Sequence, residues 1–263
     1  MKKHPILSGI LFTVIFVVLI VLTSVLQVWL VPSLDSQIAE MIQDFTGIVY
    51  ALLLTGILGM SWILSKRGQG FFKGCLTGMY LVVVCTGTIV VSLADAYGEF
   101  PLKHLGGILI FTADMILIGI SEEIIFRGVI LTNLRQHFGN SVAGIWKAVI
   151  ISSVMFALAH VTNVVELTMV EFLDRLLFCF GMGMILAAIY IRCGNIWVVA
   201  LLHALVDFST DIIPGMFTVK VQESGQAAGS TDWSFIIADL VYVFVAVYLL
   251  RKKKLDALQD NTP

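Results

Sequence analysis

Three short stretches set ionisable side chains inside apolar runs. "SEEIIFRG" carries Glu122, Glu123 and Arg127, "MFALAH" carries His160, and "LLHALVDF" carries His203 and Asp207. An ionisable residue near the centre of a membrane span costs about 2.5–3.5 kcal/mol on insertion scales, so each of these needs a role. On a helix, Glu123 and Arg127 lie one turn apart on one face, which is ion-pair geometry. Glu122 points about 100° away and is free for another task. His203 and Asp207 share the i,i+4 spacing, so they either converge on one point or orient each other. A carboxylate, two imidazoles and a further carboxyl group in a water-poor bundle can activate water and stabilise an oxyanion. The same set could hold a metal ion or relay protons. Plainer uses also exist: acids that only satisfy Arg127 or snorkel, a histidine packed in a core, or a carboxylate–imidazole bond that pins a helix.

The elements that must position these residues are membrane helices. The 263 residues are 59% hydrophobic and 13% charged, where a soluble domain is nearer a quarter charged. Eight apolar stretches are expected to span, at 6–31, 45–64, 74–94, 105–131, 142–161, 176–191, 196–213 and 233–250. They lack period-2 alternation, so helices rather than barrel strands are predicted. The fold class is therefore an all-α polytopic bundle forming a single membrane domain over 1–263, with the motif-bearing core at 105–213. The first stretch is too long for a signal-peptide core and no small-residue cleavage site follows it, so it is read as a retained span. The connections 162–175 and 214–232 are the long ones, and the polar, small-residue-rich second suits a mobile loop. Cys75, Cys85, Cys179 and Cys193 form no C-x-x-C pair and read as small buried hydrophobes. No basic patch with interleaved aromatics suggests nucleic acid.

Orientation follows the lysines and arginines. With the N-terminus inside, twelve basic residues fall on the cytoplasmic side, among them Lys2, Lys3, Arg135, Lys147, Arg192 and Arg251 through Lys254. Three, Lys103, Arg175 and Lys220, fall outside, together with acids such as Asp35, Glu40, Asp95, Glu166 and Glu171. Both termini are thus expected in the cytoplasm. Depth poses a difficulty on these limits. Glu122 lies about 26 Å in from Leu105 towards the cytoplasm, and His160 about 20 Å in from Lys147 towards the outside. Tilt, snorkelling by Lys147, or a fourth helix continuing to Gln136 must bring them level. Asp114, two turns before Glu122, belongs to none of the motifs and is expected to be a bundle-facing hydrogen-bond anchor or part of a polar cavity, the anchor being favoured; Asp239 is unassigned.

"EEIIFR" fits E-E-x-x-x-R, "FALAH" fits F-x-x-x-H, and "HALVD" fits H-x-x-x-(N/D). In that order on successive apolar helices, they resemble the CAAX-protease and bacteriocin-processing (Abi) family of intramembrane proteases. The resemblance covers about 119–207. It implies a glutamate-dependent endopeptidase in which Glu122 and His160 activate water while His203 and Asp207 stabilise the oxyanion. Glu123, Arg127 and Phe156 would be supporting residues, with Phe156 packing one turn before His160. Prenyl-protein proteases of the eukaryotic type carry Asn where Asp207 stands, and the wider family allows Asp. An ionised Asp207 would repel an oxyanion, so it either stays protonated as a donor or accepts from His203 and holds that ring. The i,i+4 spacing favours the latter.

The leading expectation is metal-free hydrolysis of peptide or membrane-protein substrates at the lipid bilayer of a cell membrane. A zinc-dependent version would use Glu122, His160 and His203 as ligands, although no H-E-x-x-H helix is present. The non-enzymatic readings are a proton-coupled carrier and a bacteriocin-immunity or peptide-binding protein. No paired Gly/Pro-broken helices mark the inverted repeat of a carrier.

Overall fold

Inside a bilayer a backbone N–H or C=O has no water to bond, so apolar segments close their hydrogen bonds within helices. The computed structural model describes residues 4–65, 70–160, 168–219 and 233–259. Helix occupies each of the eight expected stretches. Among the described residues the only extended pairing is an isolated bridge between Leu102 and Phe217. Five helices are long and apolar enough to cross a membrane: α1 (Pro5–Leu30), α2 (Ser36–Ile57), α5 (Met79–Ala96), α8 (Val142–Ala159) and α9 (Met169–Cys193). Two shorter apolar stretches belong to α10 (Ile196–Thr210) and α12 (Trp233–Leu249). The remaining helices are α3 (Trp62–Ser65), α4 (Phe71–Thr77), α6 (Leu105–Glu123), α7 (Thr132–Phe138), α11 (Ile212–Met216) and α13 (Lys252–Gln259). Large apolar side chains of α1, including Leu7, Leu22 and Val25, stand exposed. An apolar surface of that extent suits lipid rather than water. The chain is an all-α polytopic membrane bundle.

Several expected limits are corrected by local signals. The second span starts at Ser36 rather than 45, because the Asp35 carboxylate caps it, accepting from the N–H groups of Gln37 at 3.0 Å and Ile38 at 3.3 Å. The third is divided at Gly78 into α4 and α5. The sixth begins at Met169 rather than 176. A capping box starts it: the Thr168 hydroxyl faces the Glu171 N–H, and the Glu171 carboxylate accepts from the Thr168 N–H at 2.7 Å. Most of the expected 162–175 connection that is described is therefore helix. The seventh stops at Thr210, and α11 takes the first part of the expected 214–232 loop. Residues 220–232 of that loop lie outside the described residues, as do Lys2 and Lys3.

The fourth span departs furthest from its expected form. Helix continues past 131 to Phe138, and Ile124–Leu131 winds as a π-helix, with every residue in it buried. π segments are rare and recur at functional sites. A tight turn at 139–141 then reverses the chain into α8. Glu122 stands sixteen residues before Phe138, where the first arm ends, and His160 stands eighteen residues after Val142, where the second begins. The two side chains come level, with Glu122 Oε2 3.8 Å from His160 Nε2. The depth difficulty came from ending the fourth helix too early.

Candidate active site

Close helix approach assembles the site. α6 runs against α10, and at Gly119 a Cβ atom would stand 2.5 Å from the Ala200 carbonyl oxygen and 2.9 Å from the Ala204 nitrogen. Only hydrogen fits there, and small residues are what let membrane helices meet so closely. α8 approaches α9 in the same way at Gly183, where a Cβ would meet Ser153 at 2.8 Å. The α6–π–α7 rod thus lies between α10 on one side and α8 on the other.

The buried part of the site is an electrostatic clamp. Arg127, 1% exposed, pairs with fully buried Glu123. Its guanidinium sits 4.4 Å from the centre of the Phe156 ring and points its second terminal nitrogen at the carbonyls of Met182 and Gly183, 3.5 and 3.4 Å away. The same Glu123 Oε1 accepts from His203 Nδ1 at 2.8 Å. One carboxylate therefore compensates a buried cation and orients an imidazole from another helix. Sequence spacing identified the Arg127 pair, but the bond to His203, eighty positions away, carries no local signal.

Glu122 meets the other nitrogen of the His203 ring, from its position about 100° further round the helix. Its Oε2 lies 3.8 Å from His160 Nε2 and 3.9 Å from His203 Nε2 and has no hydrogen-bond partner of its own among the described residues. These separations exceed a direct hydrogen bond. His160 Nδ1 donates to the Phe156 carbonyl at 2.9 Å, which leaves Nε2 directed at Glu122. Phe156 packs its ring 4.8 Å from that of His160 and 5.7 Å from that of His203. Asp207 places Oδ2 3.5 Å from His203 Nε2, so the expected contact is present. However, that oxygen makes no hydrogen bond, and the bond that holds the ring comes from Glu123. All seven expected residues meet in one locus.

Exposure divides them. Glu123 and Arg127 are sealed, His203 is 5% accessible, and Glu122 is 13%, His160 22% and Asp207 22% accessible. A cavity of about 530 Å³ is lined by His160, His203 and Asp207, together with Asp174, Arg175 and Asp239. Glu122 is not in its wall and stands against the two imidazoles that are. Asp239, unassigned from sequence, stands with Asp174 in the cleft wall, and each has a buried carboxylate oxygen without a hydrogen-bond partner among the described residues. Asp174 and Arg175 were placed in a connection, so their helical direction into the cleft was not legible. Asp114 is 4% exposed, and its Oδ1 has no hydrogen-bond partner among the described residues. It lines a second cavity of about 500 Å³ with Glu40, Asp44 and Asp211, and Asp211 also borders the first. Among the described residues no group of three or more His, Cys, Asp or Glu is arranged to hold a metal ion.

No curated protein matches the chain. Residues 104–209, which run from the cap of α6 to the last turn of α10, match the family described as Type II CAAX prenyl endopeptidase Rce1-like. The match spans all three motifs and the helices that bring them together.

Proposed function

We propose that this protein is a metal-free intramembrane endopeptidase of the cell membrane, in which Glu122 and His160 activate water against the peptide bonds of membrane-associated peptides or proteins. The observation that carries this reading is the convergence of Glu122 Oε2 on two imidazole nitrogens, 3.8 and 3.9 Å away, on the two histidines that line an open cleft. A water touching both Glu122 and His160 loses its proton to that pair, and its oxygen bonds to the scissile carbonyl carbon. The carbonyl electron pair moves to oxygen, and the oxyanion is received by His203 Nε2–H and by Asp207 acting as a protonated donor. Collapse re-forms the carbonyl and breaks the C–N bond, while the leaving nitrogen takes the proton held by Glu122 and His160. With its Nδ1–H given to Glu123, His203 can present Nε2–H only as the doubly protonated ring. Glu123 and Arg127 position that ring and do not touch substrate.

The test is hydrolysis of membrane-peptide substrates by the purified full chain. Glu122→Ala and His160→Ala are each expected to lower turnover by about 10²-fold or more, and EDTA is expected to leave the native rate unchanged. Native turnover in either variant would overturn the assignment. Stoichiometric zinc with loss of activity on chelation would replace it with the zinc-dependent reading.

The cleft is bordered by the start of α9 and the end of α10, through Glu171, Arg175, Thr210 and Asp211. These are the ends that the distribution of basic residues assigns to the outside. Towards the cytoplasm, the fully buried π segment lies beneath the site. The substrates of this reading are peptide bonds presented from the non-cytoplasmic face.

A further inference from the structure

The lysines and arginines at the basic end of the bundle are not all spread over its surface. A cavity of about 660 Å³ is bounded by Lys73 and Leu76 of α4, Arg192 in the last turn of α9, Val245 and Leu249 of α12, and Lys254 of α13. Its three cations come from three helices. Among the described residues none of the three makes an ion pair with a carboxylate. Like charges drawn into one concave site repel unless an anion joins them, so this end of the cavity is built for a negative ligand.

The other half of the cavity is apolar. α4 and α12 each pack on α9, and the cavity lies between them. Phe72 and Leu76 are strongly exposed on one wall, Val245 and Leu249 form the opposite wall, and Tyr248 stands at the margin. Deeper in, the ring of Tyr80 meets that of Tyr242 edge-on at 6.1 Å and bridges α5 to α12. Aromatic residues at this level match the interfacial belt of a membrane protein. A free phosphate would satisfy the cations and leave the apolar walls uncovered. A phospholipid would satisfy both.

We infer that this groove is a binding site for an anionic phospholipid of the cytoplasmic leaflet, its phosphate held by Lys73, Arg192 and Lys254 and an acyl chain lying along Leu76, Val245 and Leu249. Basic pockets between membrane helices on this side bind lipid headgroups by the same chemistry. The occupied groove joins α4 to α12 and so braces the outer helices that pack on α9. This site is separate from the catalytic cleft and does not depend on the proposed hydrolysis.

The experiment is thermal unfolding of the full chain in a neutral maltoside detergent. Dioleoyl-phosphatidylglycerol, dioleoyl-phosphatidylcholine and inorganic phosphate are titrated separately. Phosphatidylglycerol is expected to raise the melting temperature saturably, and the other two to leave it unchanged. Lys73→Gln and Lys254→Gln, both at the cavity rim, are each expected to raise the half-saturating phosphatidylglycerol concentration about fivefold. Lys147→Gln, on an exposed face of α8, is expected to leave it unaltered. Equal stabilisation by phosphatidylcholine would overturn the anionic requirement, and equal stabilisation by inorganic phosphate would overturn the lipid. An unaltered half-saturation in both rim variants, or an equal shift in Lys147→Gln, would overturn the location.

Discussion

Glu122 and Glu123 are adjacent in the chain and opposite in physical situation. Glu123 is sealed beneath the cleft and neutralises Arg127 while orienting His203. Removing one partner of a buried pair leaves an uncompensated charge, so Glu123→Gln is expected to destabilise the protein by roughly 3 kcal/mol and to abolish turnover. Glu122 lies against the two imidazoles that line the cavity, and its buried Oε2 has no hydrogen-bond partner among the described residues. Glu122→Gln is expected to lose turnover while keeping or slightly raising the melting temperature, because an amide there strands no charge. Thermal unfolding and single-turnover hydrolysis on the same two preparations check the contrast. Two variants with the same stability loss would mean that both acids are structural. The Glu123–Arg127 pair and the freedom of Glu122 were legible from helical spacing. The Glu123–His203 bond was not, because it joins helices whose relative register no local pattern encodes.

Among the elements, two features set the geometry. The turn at 139–141 folds α8 back along α6–π–α7, so Glu122 and His160 face each other. Gly119 lets α10 approach until His203 reaches Glu123. Adding one methyl group there meets the rigid Ala200 backbone. Gly119→Ala is therefore expected to cost about 1–3 kcal/mol of stability. It is also expected to lower turnover about 10²-fold, since a misplacement near 1 Å has that effect. Melting temperature and rate measured together check this; native values for both would show that α6 and α10 do not meet in the way described. The capping signals at Asp35 and at Thr168 with Glu171 were readable in the sequence and locate helix starts that hydropathy alone misplaced. The π winding of Ile124–Leu131 was not readable, since its residues are those of an ordinary apolar helix.

For the whole molecule, the question is which side of the membrane the cleft faces. Thr210 is exposed at its margin, while Lys147 is exposed at the opposite end of α8. In intact cells, a membrane-impermeant maleimide is expected to label Thr210→Cys, and to label Lys147→Cys only after permeabilisation. The native chain serves as the background for Cys75 and Cys193, which are half-buried. The reverse pattern would turn the cleft to the cytoplasm and make cytoplasmic peptides the substrates. The basic lipid groove and the acid-bordered cleft lie at opposite ends of the bundle, as the charge asymmetry along the chain requires.

Composition and apolar run length by themselves determined that this is a helical membrane protein, because a bilayer admits few other ways to satisfy a backbone. Helix-face spacing and the three ordered motifs determined which residues gather at the site. Tertiary structure alone decided that Glu123 rather than Asp207 holds His203, that Glu122 looks onto both imidazoles, and that charged walls from α9 and α12 border the cleft. Those outcomes depend on distances between helices far apart in the chain. Such distances are set by close packing at positions like Gly119 and Gly183, where the fit of two surfaces, and not any local preference, determines the result.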